Sequence, residues 1–299
     1  MSFVAIVSAK GSPGVSTFAL AATLSVPASG AQSSSGGAVL ARDPGYRGFP
    51  ATEDDVFPDS ARKPGPVVLA ECDPAGGSLL AGYLSRYDLP TDRGVLPLAG
   101  ATLRGTAVQE LPGLLIDLDN HKGERLALPG LSDPAQGASL APAWAAIGEF
   151  FAGLSRAGWT VIADCGRLAS GFPPWPLLRQ ADAVLLGVRP ATLGTISPAV
   201  PALAQLRREL PATDGTLALL AIGGGVSTRE LSRHLMAPVV AEIAWDTGTA
   251  SALGGKGRGR RRGALMRTAA RAMQATQAMV VSDRAARVQL PALPGGVIT

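Results

Sequence analysis

The sequence predicts an α/β protein with three layers, in which a mostly parallel sheet lies between helices on both faces. Short apolar runs rich in β-branched residues alternate along the chain with longer stretches rich in Ala and Leu. The short runs are continuously apolar, which is typical of strands buried on both faces of a parallel sheet. The chain has 299 residues, of which 46% are hydrophobic and 17% charged. It is therefore long and apolar enough to bury a large core.

The predicted elements alternate between strand and helix, as a parallel sheet with crossover helices requires. The apolar runs predicted as strands are Phe3–Ser8, Val67–Glu71, Leu114–Leu118, Thr160–Asp164, Ala183–Val188, Thr216–Ile222 and Val239–Ile243. The stretches predicted as helices are Thr17–Val26, Gly77–Ser85, Pro142–Arg156, Ile196–Leu210, Thr228–Leu235 and Gly263–Met279. Together they predict one domain over residues 1–280.

Two stretches have the composition of irregular chain. Residues 27–66 are rich in Ser, Gly and Pro, and we expect a flexible insertion between the first helix and the second strand. Residues 281–299 become polar and then rich in Pro and Gly, and we expect a loosely ordered tail.

Composition excludes several classes of protein. Two cysteines, Cys72 and Cys165, cannot form a disulfide framework. The start, Ser2–Ala9, lacks the basic region of a signal peptide, and the long uncharged run Gly11–Ala41 contains too much Ser, Gly and Pro to span a bilayer. We therefore expect a soluble, cytoplasmic protein.

Missing motifs also argue against two enzyme classes and against histidine-based metal sites. No Gly-x-Ser-x-Gly nucleophile elbow occurs, and no Gly-x-Gly-x-x-Gly follows the first strand. The two histidines, His121 and His234, lack neighbours with metal-ligand spacing. The sequence thus disfavours hydrolases of that kind, dehydrogenases and histidine-based metal sites.

The segment between the first strand and the first helix has the composition of a phosphate-binding loop. Its residues are Lys10, Gly11, Ser12, Pro13, Gly14, Val15, Ser16 and Thr17. At this place backbone N–H groups and the helix N-terminus can converge on an anion, and the glycines let the backbone wrap closely around a phosphate. Ser16 is placed to supply its hydroxyl oxygen to Mg²⁺ and to cap the helix. The alternative is a turn that only joins strand to helix.

Val15 occupies the position that holds lysine in the ordinary motif, which ends Gly-Lys-Ser/Thr. A charge-assisted contact of that kind contributes roughly 1.5–3 kcal/mol, or on the order of 10- to 100-fold in affinity. We therefore expect weak or absent hydrolysis.

Two later strands end in acidic residues, where open α/β sheets bind their ligands. Val67–Glu71 is followed by Cys72 and then Asp73, Pro74 and a glycine turn, and Thr160–Asp164 ends in its own carboxylate. An acid at the end of a strand can also simply cap a loop. In this order, we expect Asp73 and Asp164 to belong to the same site as the loop.

These motifs resemble those of the ParA/MinD-type ATPases, over residues 1–26 and 66–280. The loop is similar to their deviant Walker A motif, Lys-Gly-Gly-x-Gly-Lys-Ser/Thr, with Lys10 as the signature lysine that reaches a partner's phosphates in a nucleotide-dependent homodimer. The resemblance implies a P-loop NTPase fold with ATP and Mg²⁺ as cofactors. It implies that Asp73 orients the attacking water or belongs to the switch, and that Asp164 holds Mg²⁺ through water, as a Walker B aspartate does. Glu71 stands where the family usually has its first aspartate.

The resemblance extends to the late segment that lies near the nucleotide base in this family. Pro238–Asp246 is similar to the family's segment near the base. The strand before it ends in Gly223-Gly224-Gly225, where many relatives place an asparagine that reads adenine. The base specificity is therefore open.

Within the family, the pattern is similar to the MinD-like proteins of the TadZ/CpaE group of high-GC bacteria, which position Tad-type pilus and secretion machinery. This implies a protein partner in a localisation or secretion system, and a place near the membrane or the cell pole. Atypical Walker A loops are common in that group.

Basic residues concentrate in one segment, Lys256–Arg271, which contains seven of them and no acid. Because the whole chain has a net charge of +4, the remainder carries −3. The segment is either a solvated loop, a surface for non-specific DNA binding, or a contact with anionic lipid.

Three functions remain open. The first is a nucleotide-binding switch with little or no hydrolysis that acts in positioning or assembly. The second is an active ATPase in chromosome or plasmid partitioning, with Lys10 replacing the missing lysine and the basic segment binding DNA. The third is a scaffold that binds no nucleotide.

Overall fold

The computed structural model describes residues 2–11, 14–26, 65–87, 89–90, 92–119, 122–210, 216–256 and 263–288. Most of the predicted insertion at 27–66, the loop residues Ser12 and Pro13, the arginines of 258–262 and the end of the predicted tail lie outside the described residues.

One eight-stranded sheet organises the described part of the chain, which confirms the predicted α/β class. The strands are β1 (Phe3–Ser8), β2 (Val67–Glu71), β3 (Ile116–Asp117), β4 (Arg125–Leu128), β5 (Thr160–Arg167), β6 (Ala183–Val188), β7 (Thr216–Ile222) and β8 (Val239–Ile243). Their spatial order is β3-β4-β2-β5-β1-β6-β7-β8, and all neighbours pair in parallel except β3 with β4. The loops that follow β2, β5 and β1 therefore lie side by side at one edge.

The helices cover both faces of this sheet. They are α1 (Val15–Ser25), α2 (Val95–Arg104), α3 (Ala107–Leu114), α4 (Trp144–Arg156), α5 (Trp175–Leu178), α6 (Leu193–Ile196), α7 (Ala199–Glu209), α8 (Thr228–Leu235), α9 (Thr247–Leu253) and α10 (Ala264–Val288), with a 3₁₀ helix at Pro134–Ala143. Helices α2 to α5, α7 and α8 bury their apolar residues in one core, whereas α1 and α10 bury theirs in the other. In β1, Phe3 faces the first core and Val4 the second. No helix among the described residues is both long and apolar enough to cross a bilayer.

The central strands match the prediction, and the largest error is the helix predicted at Gly77–Ser85. The structure instead has consecutive turns there, whose N–H groups donate to carbonyls three, four and five residues back in an irregular series. Glycine is among the poorest helix formers, and Gly77 and Gly82 lie at the start and in the middle of this segment. The Glu71 carboxylate holds its start by accepting the N–H groups of Ser78 and Leu79.

Two further boundaries differ from the prediction. The strand predicted at Leu114–Leu118 shrinks to β3, because α3 continues through Leu114. The last helix runs to Val288 rather than Met279, since Arg284 forms an ion pair with Asp182 and Asp283 accepts a hydrogen bond from Thr216.

Candidate functional site

The loop between β1 and α1 presents an uncapped helix N-terminus at the carboxyl edge of the sheet. Gly11 and Gly14 adopt left-handed backbone conformations with φ of 67° and 102°, which L side chains rarely adopt. Gly14 precedes α1, which has neither a side-chain cap nor an acidic residue in its first turn. The first N–H groups of this helix therefore suit an anion.

Val15, in the position of the usual lysine, is a core residue. Its side chain is buried in the core beneath α1 and lies against the backbone of Gly187 in β6, where an added β-carbon would be 2.4 Å from Val15 Cγ1. The side chain therefore packs on the sheet and contributes no cation to the loop.

Ser16 and Asp164 meet where α1 begins above the end of β5. Asp164 is buried, with 4% of its surface exposed, and its carboxyl takes hydrogen bonds from the Ser16 hydroxyl and, at 3.1 Å, from the Gly166 N–H. Burial raises the pKa of Asp164 to about 6; the two hydrogen bonds oppose this rise, and the nearby Glu71 and Asp73 carboxylates add to it. A buried carboxyl beside a hydroxyl is a pair of oxygen ligands of the kind that Mg²⁺ prefers.

Glu71 lies beside Asp164 in register, since the two residues pair across β2 and β5. Its Oε1 accepts the N–H groups of Ser78 and Leu79 at 2.7 and 2.9 Å, and its Oε2 accepts the Gly130 N–H at 3.0 Å. These bonds use the carboxylate to hold two chain segments together. Glu71 therefore has a structural role, which its position in the motif did not predict.

Asp73 packs against the chain just beyond Asp164. An added β-carbon at Gly166 would lie 2.0 Å from Asp73 Cγ, so only glycine, here with φ of 65°, leaves room for this carboxylate. Burial raises the pKa of Asp73, while the Ala75 N–H bond and the positive charge of Arg167 oppose the rise. The structure therefore brings the two predicted acids together.

A cavity of about 490 Å³ opens beside these groups. Its lining includes Ser16, Thr17, Glu71 and Asp164, together with apolar and glycine positions. Six of the residues 77–83, together with Leu253 and Gly254, form a further wall of the cavity. The sequence did not predict this wall, in which an added β-carbon at Gly255 would lie 2.4 Å from the Gly82 carbonyl oxygen.

The residues around the cavity fit a magnesium nucleotide. No group of three His, Cys, Asp or Glu residues that could hold a metal occurs in the part of the chain that the structure describes. Mg²⁺ needs no such cage, because it binds through one or two protein oxygens, substrate phosphates and water. Asp164 and Ser16 could supply such protein oxygens, and the N–H groups at the start of α1 could accommodate a phosphate.

The remaining predicted site residues are Lys10, Gly11, Ser12, Pro13 and Thr17. Lys10 is exposed, as a residue that reaches another molecule would be, and it does not line the cavity. Gly11 and Thr17 lie in the loop and at the cavity, respectively, whereas Ser12 and Pro13 lie outside the described residues.

Comparison with solved structures identifies the fold. The septum site-determining protein MinD from Pyrococcus horikoshii OT3, complexed with Mg-ADP, superposes with a TM-score of 0.60 at 13% identity, over 97% of this chain and 99% of that one. A ParA family ATPase from Chlorobium tepidum TLS gives 0.59 at 13% identity, over 92% and 97%. The ATP complex of a Cyanothece McdA variant gives 0.54 at 14% identity, over 98% and 99%. These likenesses confirm the predicted P-loop NTPase fold.

No protein-family model matches the chain, and no curated protein matches it in sequence.

Proposed function

We propose that the chain is a ParA/MinD-like switch protein that binds ATP with Mg²⁺, hydrolyses it weakly or not at all, and serves as a positioning or assembly factor. The observation that carries this proposal is the buried Asp164 carboxyl, hydrogen-bonded to Ser16, at a cavity that begins at the N-terminus of α1. An isolated buried carboxylate is costly, and a bound cation would offset that cost.

The bound nucleotide would lie with its phosphates at the start of α1. The N–H groups of the loop would hold the phosphates, and Ser16 and Asp164 would hold the magnesium ion, Asp164 through water. Structures of similar fold contain Mg-ADP and ATP, which supports this choice of cofactor.

Weak hydrolysis follows from the position of Val15. Phosphoryl transfer depends almost entirely on positioning and on cations that stabilise the developing charge. Val15 is packed in the core and offers no such cation. Lys10 is exposed, so it can contact the phosphates held by a second copy of the chain in a nucleotide-dependent dimer.

The cellular task is assigned from resemblance. Tad-type pilus or secretion machinery, or a site at the cell pole, would be what the switch positions. A complex of MinD with MinC from Aquifex aeolicus shows that a protein of this fold can act through a protein partner.

Equilibrium binding of ATP and ADP with Mg²⁺, with sedimentation in parallel, tests the proposal. We expect micromolar binding and dimerisation that depends on nucleotide, both weakened by Asp164→Asn and by Ser16→Ala. Ser139→Ala, an exposed serine on the 3₁₀ helix, is the matched control and should change neither. No binding at millimolar nucleotide would instead support the nucleotide-free scaffold.

Hydrolysis separates the switch from the active partitioning ATPase. The switch predicts little phosphate release whether or not the protein dimerises. Hydrolysis that dimerisation accelerates and that Lys10→Ala abolishes would favour the ATPase in its place.

A further inference from the structure

The two cysteines of the chain lie side by side beneath the candidate site. Strands β2 and β5 pair in parallel with Glu71 opposite Asp164, and the Cys72 N–H continues the ladder by donating to the Asp164 carbonyl at 2.7 Å. Cys72 and Cys165 are the residues that follow this pair. Because side chains alternate between the faces of a sheet, both thiols point away from the two carboxylates and into the core on the other face.

The spacing of the two cysteines allows a disulfide. Neighbouring strands lie about 4.8 Å apart, which is within the range of roughly 4.4–6.8 Å between the α-carbons of disulfide-bonded residues. Both side chains are 1% exposed and belong to the same core. Burial is the main cause that raises the pKa of Cys165, and the neighbouring Cys72 is the next, as expected for two sulfur atoms that face each other.

We propose that Cys72 and Cys165 form a reversible intramolecular disulfide, and that closing it weakens the binding of a magnesium nucleotide. The first part stands on the strand pairing alone, whereas the second rests on the proposed function.

The oxidant is a hydroperoxide, of which hydrogen peroxide is small enough to reach a buried site. The thiolate of one cysteine attacks a peroxide oxygen, the O–O bond breaks, and a sulfenic acid forms with hydroxide, which takes up the proton of that thiol and becomes water. The second thiol then attacks the sulfenic sulfur, so that the S–O bond breaks, the S–S bond forms and a second water leaves. Two thiols thus lose two electrons and two protons to one peroxide.

The surroundings of the pair make this oxidation slow. Burial raises the pKa of both thiols, and the carboxylates of Glu71, Asp73 and Asp164 raise that of Cys72 further. Because the thiolate is the reactive form, the pair remains reduced at neutral pH until peroxide is sustained.

The disulfide would act on the site because the cysteines adjoin its two acids. Asp73 follows Cys72, and Cys165 lies between Asp164 and Gly166. The chain has no slack here, since an added β-carbon at Gly166 would lie 2.0 Å from Asp73 Cγ. A bond of about 2 Å between the sulfur atoms replaces a van der Waals contact and draws the two chain ends together. The Asp73 and Asp164 carboxyls are then displaced relative to each other.

Treatment of the full chain with hydrogen peroxide tests the disulfide. We expect both thiols to disappear from titration of the unfolded protein, the chain to stay monomeric on a non-reducing gel, and the peptides containing Cys72 and Cys165 to be linked after proteolysis. Dithiothreitol should restore both thiols. Cys72→Ala and Cys165→Ala each leave one thiol without a partner, so these variants should accumulate a sulfenic acid that dimedone traps, whereas the parent should not.

Titration of the reduced and oxidised chain with Mg-ATP tests the effect on the site. We expect the oxidised form to bind about 10- to 100-fold more weakly, the range found when groups that orient metal ligands are changed. Dithiothreitol should restore the affinity. The double variant Cys72→Ala/Cys165→Ala keeps all five methionines, so it controls for their oxidation, and peroxide should leave its affinity unchanged. Dithiothreitol does not reduce methionine sulfoxide, so recovery of the parent gives the same control without a variant.

The outcomes separate the two parts. Two free thiols after sustained peroxide, cysteines that gain oxygen instead of joining, or a disulfide only between chains overturns the disulfide. A disulfide form that binds Mg-ATP as tightly as the reduced form overturns the effect on the site. If the reduced chain binds no nucleotide, the proposed function fails and the effect on the site fails with it, while the thiol titration still decides the disulfide.

Discussion

Val15 and Gly187 are in direct contact, because the valine side chain occupies the space in which any side chain at position 187 would have to lie. The residue that departs from the phosphate-loop motif therefore contributes to the core. Its methyl groups join the start of α1 to the centre of the sheet, where a charged group would have to be desolvated.

This contact predicts a non-additive pair of substitutions. Gly187→Ala should lower the free energy of unfolding by about 1–3 kcal/mol through overpacking, and Val15→Ala by about 2 kcal/mol through lost burial. In the double variant the new methyl group fills the space that the valine leaves, so the combined loss should be smaller than the two single losses together. Urea unfolding of the four proteins measures this, and strictly additive losses would contradict the packing.

A second prediction concerns the dependence of stability on pH. Burial raises the pKa of Asp164 to about 6 in the folded protein, from the usual 3.8. Between these values the folded state holds more protons than the unfolded state, so the free energy of unfolding falls as pH rises. Asp164→Asn removes this slope and should be more stable than the parent at pH 7, by up to about 3 kcal/mol. Unfolding curves at pH 4 to 7 for both proteins test it, and parallel pH profiles would count against the raised pKa.

The same titration should control magnesium binding. A cation competes with the proton on Asp164, so affinity for Mg-nucleotide should rise as pH rises through about 6. Ser16→Ala removes a hydrogen bond that lowers this pKa, and should therefore shift the rise to higher pH. Titrations of nucleotide at fixed Mg²⁺ across pH 5 to 8 measure the midpoint. An unchanged midpoint in the serine variant would show that the hydrogen bond does not act on the carboxyl.

We expect Glu71 to stabilise the fold. Glu71→Gln turns one acceptor into an N–H₂ donor that faces backbone N–H groups, and should cost about 2–3 kcal/mol in the free energy of unfolding. Glu242→Gln, on the exposed surface of β8, is the control and should change stability by less than about 0.5 kcal/mol. Denaturant unfolding midpoints of the parent and both variants measure these changes in stability. Equal, small effects from both substitutions would contradict the structural role of Glu71.

The basic segment gives a prediction for the partitioning alternative. If it binds DNA, replacing Arg260, Arg261 and Arg262 by alanine should reduce the slope of log affinity against log salt by about 3. A control variant removes the same charge elsewhere, from three exposed arginines of α7 and α8: Arg208, Arg229 and Arg233. Binding that responds equally to both triple variants would point to overall charge rather than to this segment.

The central strands were predictable because burial on both faces leaves a continuous apolar run. Phe3–Ser8, Ala183–Val188 and Thr216–Ile222 have the predicted bounds. The edge was less predictable, since β3 has two residues and β4 four, too few to form a pattern. Helix α2 was missed for a similar reason, as Pro97 and Gly100 interrupt it.

The acids of the candidate site could be predicted because the carboxyl ends of parallel strands lie at one edge of a sheet, and Asp73 and Asp164 both follow or end such strands. The roles assigned to them, and to Lys10, stay predictions. The contacts of Glu71 with Gly130 and of Gly82 with Gly255 join residues far apart in sequence, so no local sequence pattern could predict them. The same holds for Arg189 above Trp245.

The length of α10 has a practical consequence. The helix begins where the Leu265 N–H donates to the Asp246 carboxylate. About 30 Å further along, its Asp283 and Arg284 contact Thr216 at the start of β7 and Asp182 just before β6. A fluorescent label attached after Val288 would thus be joined at the end of the sheet away from the cavity that Ser16 and Asp164 line, and could report location in a living cell without obstructing that cavity. Removing everything after residue 280 would cut Asp283 and Arg284 away and loosen the far end of that helix.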